Sequence, residues 1–190
     1  GNPIGKQDQY AAAFGGLNFI RFHQDGEVSV SPVVMQSETY QELQKNLVMF
    51  YTGDTRSANT ILKEQKNNMA ATDKTTNLRH MCALAEEMLV ALEKNQINSF
   101  GDLLNEGWKL KRTLASGISN PHIDEAYETA MKNGALGGKL LGAGGGGFLL
   151  FYCPPKDQEK LRVALKLRSF PFSFEKDGAA VAYIGDKYWD

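Results

Sequence analysis

Seven of the eleven residues from 137 to 147 are glycine, in the order Gly137-Gly138-Lys139-Leu140-Leu141-Gly142-Ala143-Gly144-Gly145-Gly146-Gly147. Glycine loses more conformational freedom on ordering than any other residue, so four in succession need a reason. Two readings suit the composition. One is a flexible loop or a tight bend where two backbones meet; the other is a ligand-facing loop whose N–H groups accept an anion such as phosphate. Apolar residues flank the run, Leu140 and Leu141 before it and Phe148, Leu149, Leu150 and Phe151 after it, and they argue against a floppy linker. Gly142, Gly144 and Gly147 fit G-x-G-x-x-G formally, but a dinucleotide fold needs a strand before the glycines and a helix after them. Here a helix pattern precedes and a strand pattern follows. A Walker A loop is excluded as well, because no Gly-Lys-Ser/Thr closes the run.

Elsewhere, chemistry would have to come from side chains that declare no role singly. Asp8 is one of 22 acidic residues and, in isolation, reads as a solvated charge or a helix cap. Arg56 could grip a phosphate with two parallel hydrogen bonds, and Lys6 and Lys139 could meet one as point charges. Each is otherwise a solvent-exposed charge. Tyr10 could line an acceptor site. Lys111-Arg112 reads as the outer face of a helix, and Trp108 and Tyr51 as core or cleft-wall aromatics. His23, His80 and His122 are scattered and offer no zinc spacing, so no metal site is expected. Cys82 and Cys153 are far apart and read as buried, reduced thiols of a cytoplasmic protein.

These groups need elements to position them. With 42% apolar and 23% charged residues the chain has the composition of an ordinary globular domain. Its 21 basic and 22 acidic residues give a net charge of −1, which favours neither nucleic acid nor an anionic membrane as partner. No apolar run approaches the roughly 20 residues of a membrane span. A short helical turn is expected over 7–14, then a hairpin of strands 18–22 and 27–33 around Asp25-Gly26. Residues 41–45 are ambiguous, and 47–51 reads as a buried strand. A helix over about 72–92 shows one apolar face through Leu78, Met81, Cys82, Ala85, Met88, Leu89 and Leu92. Further helices are expected over 100–114, from Asn120-Pro121 to Gly134, and over 157–167. Strands are expected over 147–153, 172–175 and 179–184. Without a βαβ rhythm this is an α+β chain, an antiparallel sheet with helices packed on one face.

The segment from Gly138 to Gly147 closely resembles the third signature motif of the GHMP kinases. The wider context of Ile118-Ser119-Asn120-Pro121, Asp8-Gln9-Tyr10-Ala11-Ala12-Ala13-Phe14-Gly15-Gly16 and Phe50-Tyr51-Thr52-Gly53-Asp54-Thr55-Arg56-Ser57 resembles the heptose-phosphate kinase branch. The resemblance implies a ferredoxin-like C-terminal kinase domain over 36–190, with 1–35 the remainder of an N-terminal domain. It implies transfer of the γ-phosphoryl group of ATP, with Mg2+, to the anomeric hydroxyl of D-glycero-D-manno-heptose 7-phosphate. Asp8 would be the catalytic aspartate, as base or orienting group. Gly142, Gly144, Gly145, Gly146 and Gly147 would lie beside the nucleotide phosphates, with Arg56, Lys6, Lys139 and Tyr10 toward the acceptor. A related kinase for fucose, galactose or another sugar, or a noncatalytic ferredoxin-like module, are the competing readings. The family's principal phosphate loop, a Pro-x-x-x-Gly-Leu-Ser-Ser-Ser-like motif, is absent. A chain opening Gly1-Asn2-Pro3 therefore reads as lacking an upstream portion and as incomplete for catalysis by itself.

Overall fold

The computed structural model describes residues 5–53, 58–68 and 72–181. The described chain divides into two compact units, one of them Val34–Phe172 and the other Gly5–Val33 together with the chain from Ser173 onward.

In the smaller unit, helix α1 (Gln7–Phe14) is followed by the antiparallel pair β1 (Asn18–Phe22) and β2 (Val28–Pro32), with Phe22 opposite Val28. The Asp25-Gly26 turn forms as its residue types dictate. The Asp25 carboxylate accepts from the Glu27 N–H at 3.0 Å, and Gly26 takes the positive φ of +90° that a side chain would resist. Strands expected over 172–175 and 179–181 do not form; 182–184 lie outside the described residues. Instead the segment runs close against α1, the Glu175 carbonyl accepting from Gly16 N and Ala179 N donating to the Ala13 carbonyl.

The larger unit is built on a four-stranded antiparallel sheet in the order β4-β5-β3-β6: β3 (Leu47–Tyr51), β4 (Gly137–Leu140), β5 (Phe148–Tyr152) and β6 (Arg168–Phe170). Alternate residues Val48, Phe50, Leu149, Phe151 and Leu140 are buried in one core. Trp108 of α5 (Phe100–Arg112), Ile123, Tyr127 and Ala130 of α6 (Pro121–Lys132) and Leu161 of α7 (Pro155–Leu165) share that core. Helices plus antiparallel sheet match the α+β expectation. The last strand sits earlier than its sequence pattern suggested, because Pro171 has no N–H for the ladder and pairing with β3 stops at Phe170.

Three elements lie where no periodic signal marked them. α2 (Ser37–Asn46) is mostly polar, and a remote group supports its start: Asn95 Oδ1 accepts from Gln36 N and from Thr39 Oγ1, both at 2.8 Å. α3 (Ala58–Asn68) buries Ile61. β4 forms although two of its four residues are glycine, because helix α5 comes so close that a Cβ on Gly137 would lie 1.8 Å from the Gly101 carbonyl oxygen. The stripe that α4 (Thr72–Glu93) buries is Leu84, Ala91 and Leu92, flanked by half-buried Leu78, Met81 and Met88. Cys82 and Ala85 fall outside it, so Cys82 is exposed and only Cys153 is buried as expected.

Candidate active site

The glycine run crosses from β4 to β5. Leu141 N donates to the Phe148 carbonyl at 2.8 Å, closing the base of the connection. Beyond that base the loop is held from outside at three points. Lys111 Nζ donates to the Gly142 carbonyl at 2.7 Å, Gly145 N donates to the Ile118 carbonyl at 3.0 Å, and Gly147 meets Thr52. The glycines are required where the chain passes Ile118. Gly144 has φ +120°, and a Cβ there would sit 2.7 Å from Ile118 Cα and 2.9 Å from its carbonyl oxygen.

The anchors leave the N–H groups of Gly142, Ala143, Gly144 and Gly146 with no acceptor among the described residues. Backbone amides uncommitted to internal partners in a glycine-rich, positive-φ loop make a concavity for an anion. Lys111 adds a positive charge at its edge. It belongs to this site rather than to an outer helix face, because its ammonium crosses from α5 to the loop. Lys139, on β4 just before the run, is half-buried, and desolvation holds its pKa below the usual lysine value.

The turn that presents Ile118 is itself tied to α3 and α4. Glu64 accepts from the Ser116 N–H at 2.7 Å, and hydrogen bonds from Ser116 and Gly117 lower its pKa. Asn68 Nδ2 donates to the Leu114 carbonyl at 3.0 Å, and Lys74 Nζ donates to the Thr113 carbonyl. On the other side, α6 opens on its expected cap. Asn120 Oδ1 accepts from Ile123 N at 3.0 Å with Pro121 at the first position. Asp124 in its first turn accepts from Arg112 Nη1 at 2.8 Å and Ser119 Oγ at 2.7 Å. The loop therefore rests on a frame braced from three helices.

Of the residues singled out in the sequence, the structure gathers Gly142, Gly144, Gly145, Gly146 and Gly147 in this loop, with Lys139 three residues before it. Lys6, Asp8 and Tyr10 share one short stretch of the smaller unit. Asp8 is exposed in the first turn of α1, where the helix dipole favours a carboxylate. Tyr10 packs edge-on against Phe22 at 5.8 Å and stacks on Phe14 at 6.3 Å, so its ring fastens α1 to β1. Arg56 lies outside the described residues. Thr52, Lys111 and the Ile118 carbonyl were not legible as site groups. Thr52 at a strand end before Gly53 is the nearest thing to a signal, and a main-chain carbonyl gives none.

No group of three or more His, Cys, Asp or Glu side chains that could hold a metal ion occurs among the described residues. No described helix is long and apolar enough to cross a membrane.

Residues 88–170 match the family described as GHMP kinases C terminal. The chain is 34% identical over 178 residues to the D-glycero-alpha-D-manno-heptose 7-phosphate kinase of Campylobacter jejuni subsp. jejuni serotype O:2, covering 92% of this chain and 52% of that protein. The crystal structure of a D-glycero-D-manno-heptose 1-phosphate kinase from Bacteroides thetaiotaomicron superposes with a TM-score of 0.64 at 30% identity, covering 92% of this chain and 47% of that one. Mevalonate kinase from L. major shares the fold at a TM-score of 0.71 and 21% identity, over 91% of this chain and 53% of its own. Residues 88–170 thus resemble the GHMP kinase C-terminal family, and the chain is similar to heptose-phosphate kinases over most of its length. It spans about half the length of the relatives it matches.

Proposed function

We propose that this chain is the C-terminal portion of an ATP-dependent sugar-phosphate kinase whose acceptor is the anomeric hydroxyl of D-glycero-D-manno-heptose 7-phosphate. The observation that carries the reading is a loop of uncommitted amides, held on a rigid frame, in a chain 34% identical to a heptose 7-phosphate kinase. Residues 1–35 belong on this reading to the N-terminal kinase domain, and the enzyme works in the cytoplasm.

ATP supplies the transferable phosphoryl group, with Mg2+ neutralising charge between its phosphates. The amides of Gly142, Ala143, Gly144 and Gly146 would receive phosphate oxygens. Mg2+ would reach the site with the nucleotide, held by its phosphates. Asp8 takes or orients the proton of the acceptor hydroxyl. Arg56, Lys6 and Lys139 serve the acceptor phosphate, and Tyr10 borders the acceptor.

The test is a coupled ADP assay on the intact protein with ATP, Mg2+ and a panel of heptose 7-phosphate, fucose and galactose. Turnover with the heptose phosphate well above the free sugars supports the reading. Preference for a free sugar moves the acceptor, and no turnover with any of them overturns the kinase assignment.

A further inference from the structure

Freedom of rotation is the other consequence of glycine in the loop. Glycine at both 146 and 147 removes the Cβ clashes that would otherwise restrict the peptide joining them, so residue type alone does not choose its orientation. The choice comes from β3. Thr52 is the ladder position after the Tyr51–Phe148 pair, opposite Gly147. In a regular antiparallel pair of this kind the two residues exchange both N–H···O=C bonds. One such bond is present, from Thr52 N to the Gly147 carbonyl at 2.9 Å. The other is diverted. Gly147 N donates at 3.0 Å to the Thr52 hydroxyl instead of a main-chain carbonyl, while that hydroxyl donates at 3.1 Å to the Gly147 carbonyl. Thr52 is 3% exposed, so water has little access to replace the side chain as acceptor.

We infer that Thr52 is a positioning residue of the phosphate loop, its hydroxyl selecting the orientation of the Gly146–Gly147 peptide. The inference rests on the kinase reading above. A trans peptide is planar, with its N–H and C=O pointing in opposite directions. Holding the Gly147 N–H on Thr52 therefore fixes where the Gly146 carbonyl points, and it sets the angle from which the chain enters the amide run. Flipping that peptide would reverse the local dipole beside the amides that receive phosphate. Diverting the second bond to the side chain also ends the ladder at 52, which lets the loop leave the sheet.

Thr52→Val keeps the shape and the β-branch and removes the hydroxyl; Thr52→Ser keeps the hydroxyl. Two readouts are taken: amide exchange of Gly147 in the 190-residue chain, and the kcat and KM for ATP of the intact enzyme with heptose 7-phosphate. In Thr52→Val the Gly147 amide should exchange about tenfold faster, the loss of one ordinary hydrogen bond. Its kcat should fall, by less than the roughly 100- to 1,000-fold of deleting an anion-binding donor outright, because the loop amides are misaimed rather than removed. Thr52→Ser should restore both. If Thr52→Val melts too low to assay, Thr52→Ala takes its place in the same comparison. Unchanged Gly147 exchange and kcat in the hydroxyl-free variant overturn the inference, as does a serine variant that restores neither. Where wild type itself transfers no phosphate, the kinase reading fails, and the exchange comparison alone still decides whether the hydroxyl orients the peptide.

Discussion

Alanine at Gly142 and alanine at Gly144 separate backbone strain from collision within one loop. Gly142 has φ +75°, and a Cβ there would meet nothing within 4 Å. Left-handed backbone costs an ordinary residue roughly 1–2 kcal/mol. Losing glycine's freedom in the unfolded chain returns about 0.4–1 kcal/mol, for a net loss near 1 kcal/mol. Gly144 has φ +120°, well outside the left-handed well, at a strain of about 1–3 kcal/mol. Its Cβ would also press on Ile118 Cα at 2.7 Å and carbonyl at 2.9 Å. These are main-chain atoms of a braced turn and cannot swing aside, and overpacking of this kind costs roughly another 1–3 kcal/mol. Gly144→Ala should therefore be the worse variant by about 3 kcal/mol, some 6–12 °C in melting midpoint for a chain of this size. The loop can instead yield locally, in which case the Gly145 N–H leaves the Ile118 carbonyl and exchanges faster. Thermal melts and amide exchange on both variants cover the two routes, and phosphoryl transfer by the intact enzyme should fall far more for Gly144→Ala in either. Equal melting midpoints and an equally protected Gly145 amide in the two variants would show that Ile118 does not constrain position 144.

Asp8→Asn keeps size and most hydrogen bonding but removes the charge, so turnover of the intact enzyme should fall by about two to four orders of magnitude with the melt unchanged; substantial retained turnover in the coupled ADP assay would remove Asp8 from the chemistry. Cys82 is exposed, whereas burial pushes the Cys153 thiol up to about 11; at pH 8 a colorimetric thiol reagent should label one cysteine promptly and the second only with unfolding. Desolvation lowers the Lys139 pKa, so the cost of burying its charge is present at neutral pH and fades as pH rises through the folded value toward the unfolded one. Lys139→Met should therefore melt higher at pH 7, with that advantage shrinking in alkali, while the acceptor KM rises. A lower midpoint at pH 7 would show that the ammonium is stabilised in place.

Whatever depends on neighbours in the chain was legible in the sequence. The Asp25-Gly26 turn follows from residue types at fixed offsets, and so do the Asn120-Pro121 helix start and the β3 and β5 strands. The glycine run showed that its cost demanded a purpose but left a tight bend and a ligand-facing loop both open, and only the resemblance of its surroundings pointed to a kinase. What tertiary structure decided are the matters settled by partners remote in sequence. Strand β4 exists because β5 pairs with it and because Gly137 lets α5 approach; its own residues are poor strand formers. Helix α2 begins where Asn95 supports it, 59 residues away from Gln36. The apolar spacing of α4 found the helix but misjudged its buried stripe, because a 3.6-residue period fixes a face only to within about one position. Cys82 fell on the wrong side of that margin. Most of all, the loop's orientation belongs to Thr52, Lys111 and Ile118, which lie 95, 31 and 27 residues from the glycines they hold. Glycine supplies conformations without preferring one, so the preference has to come from donors and acceptors that only folding brings within 3 Å or so of the run.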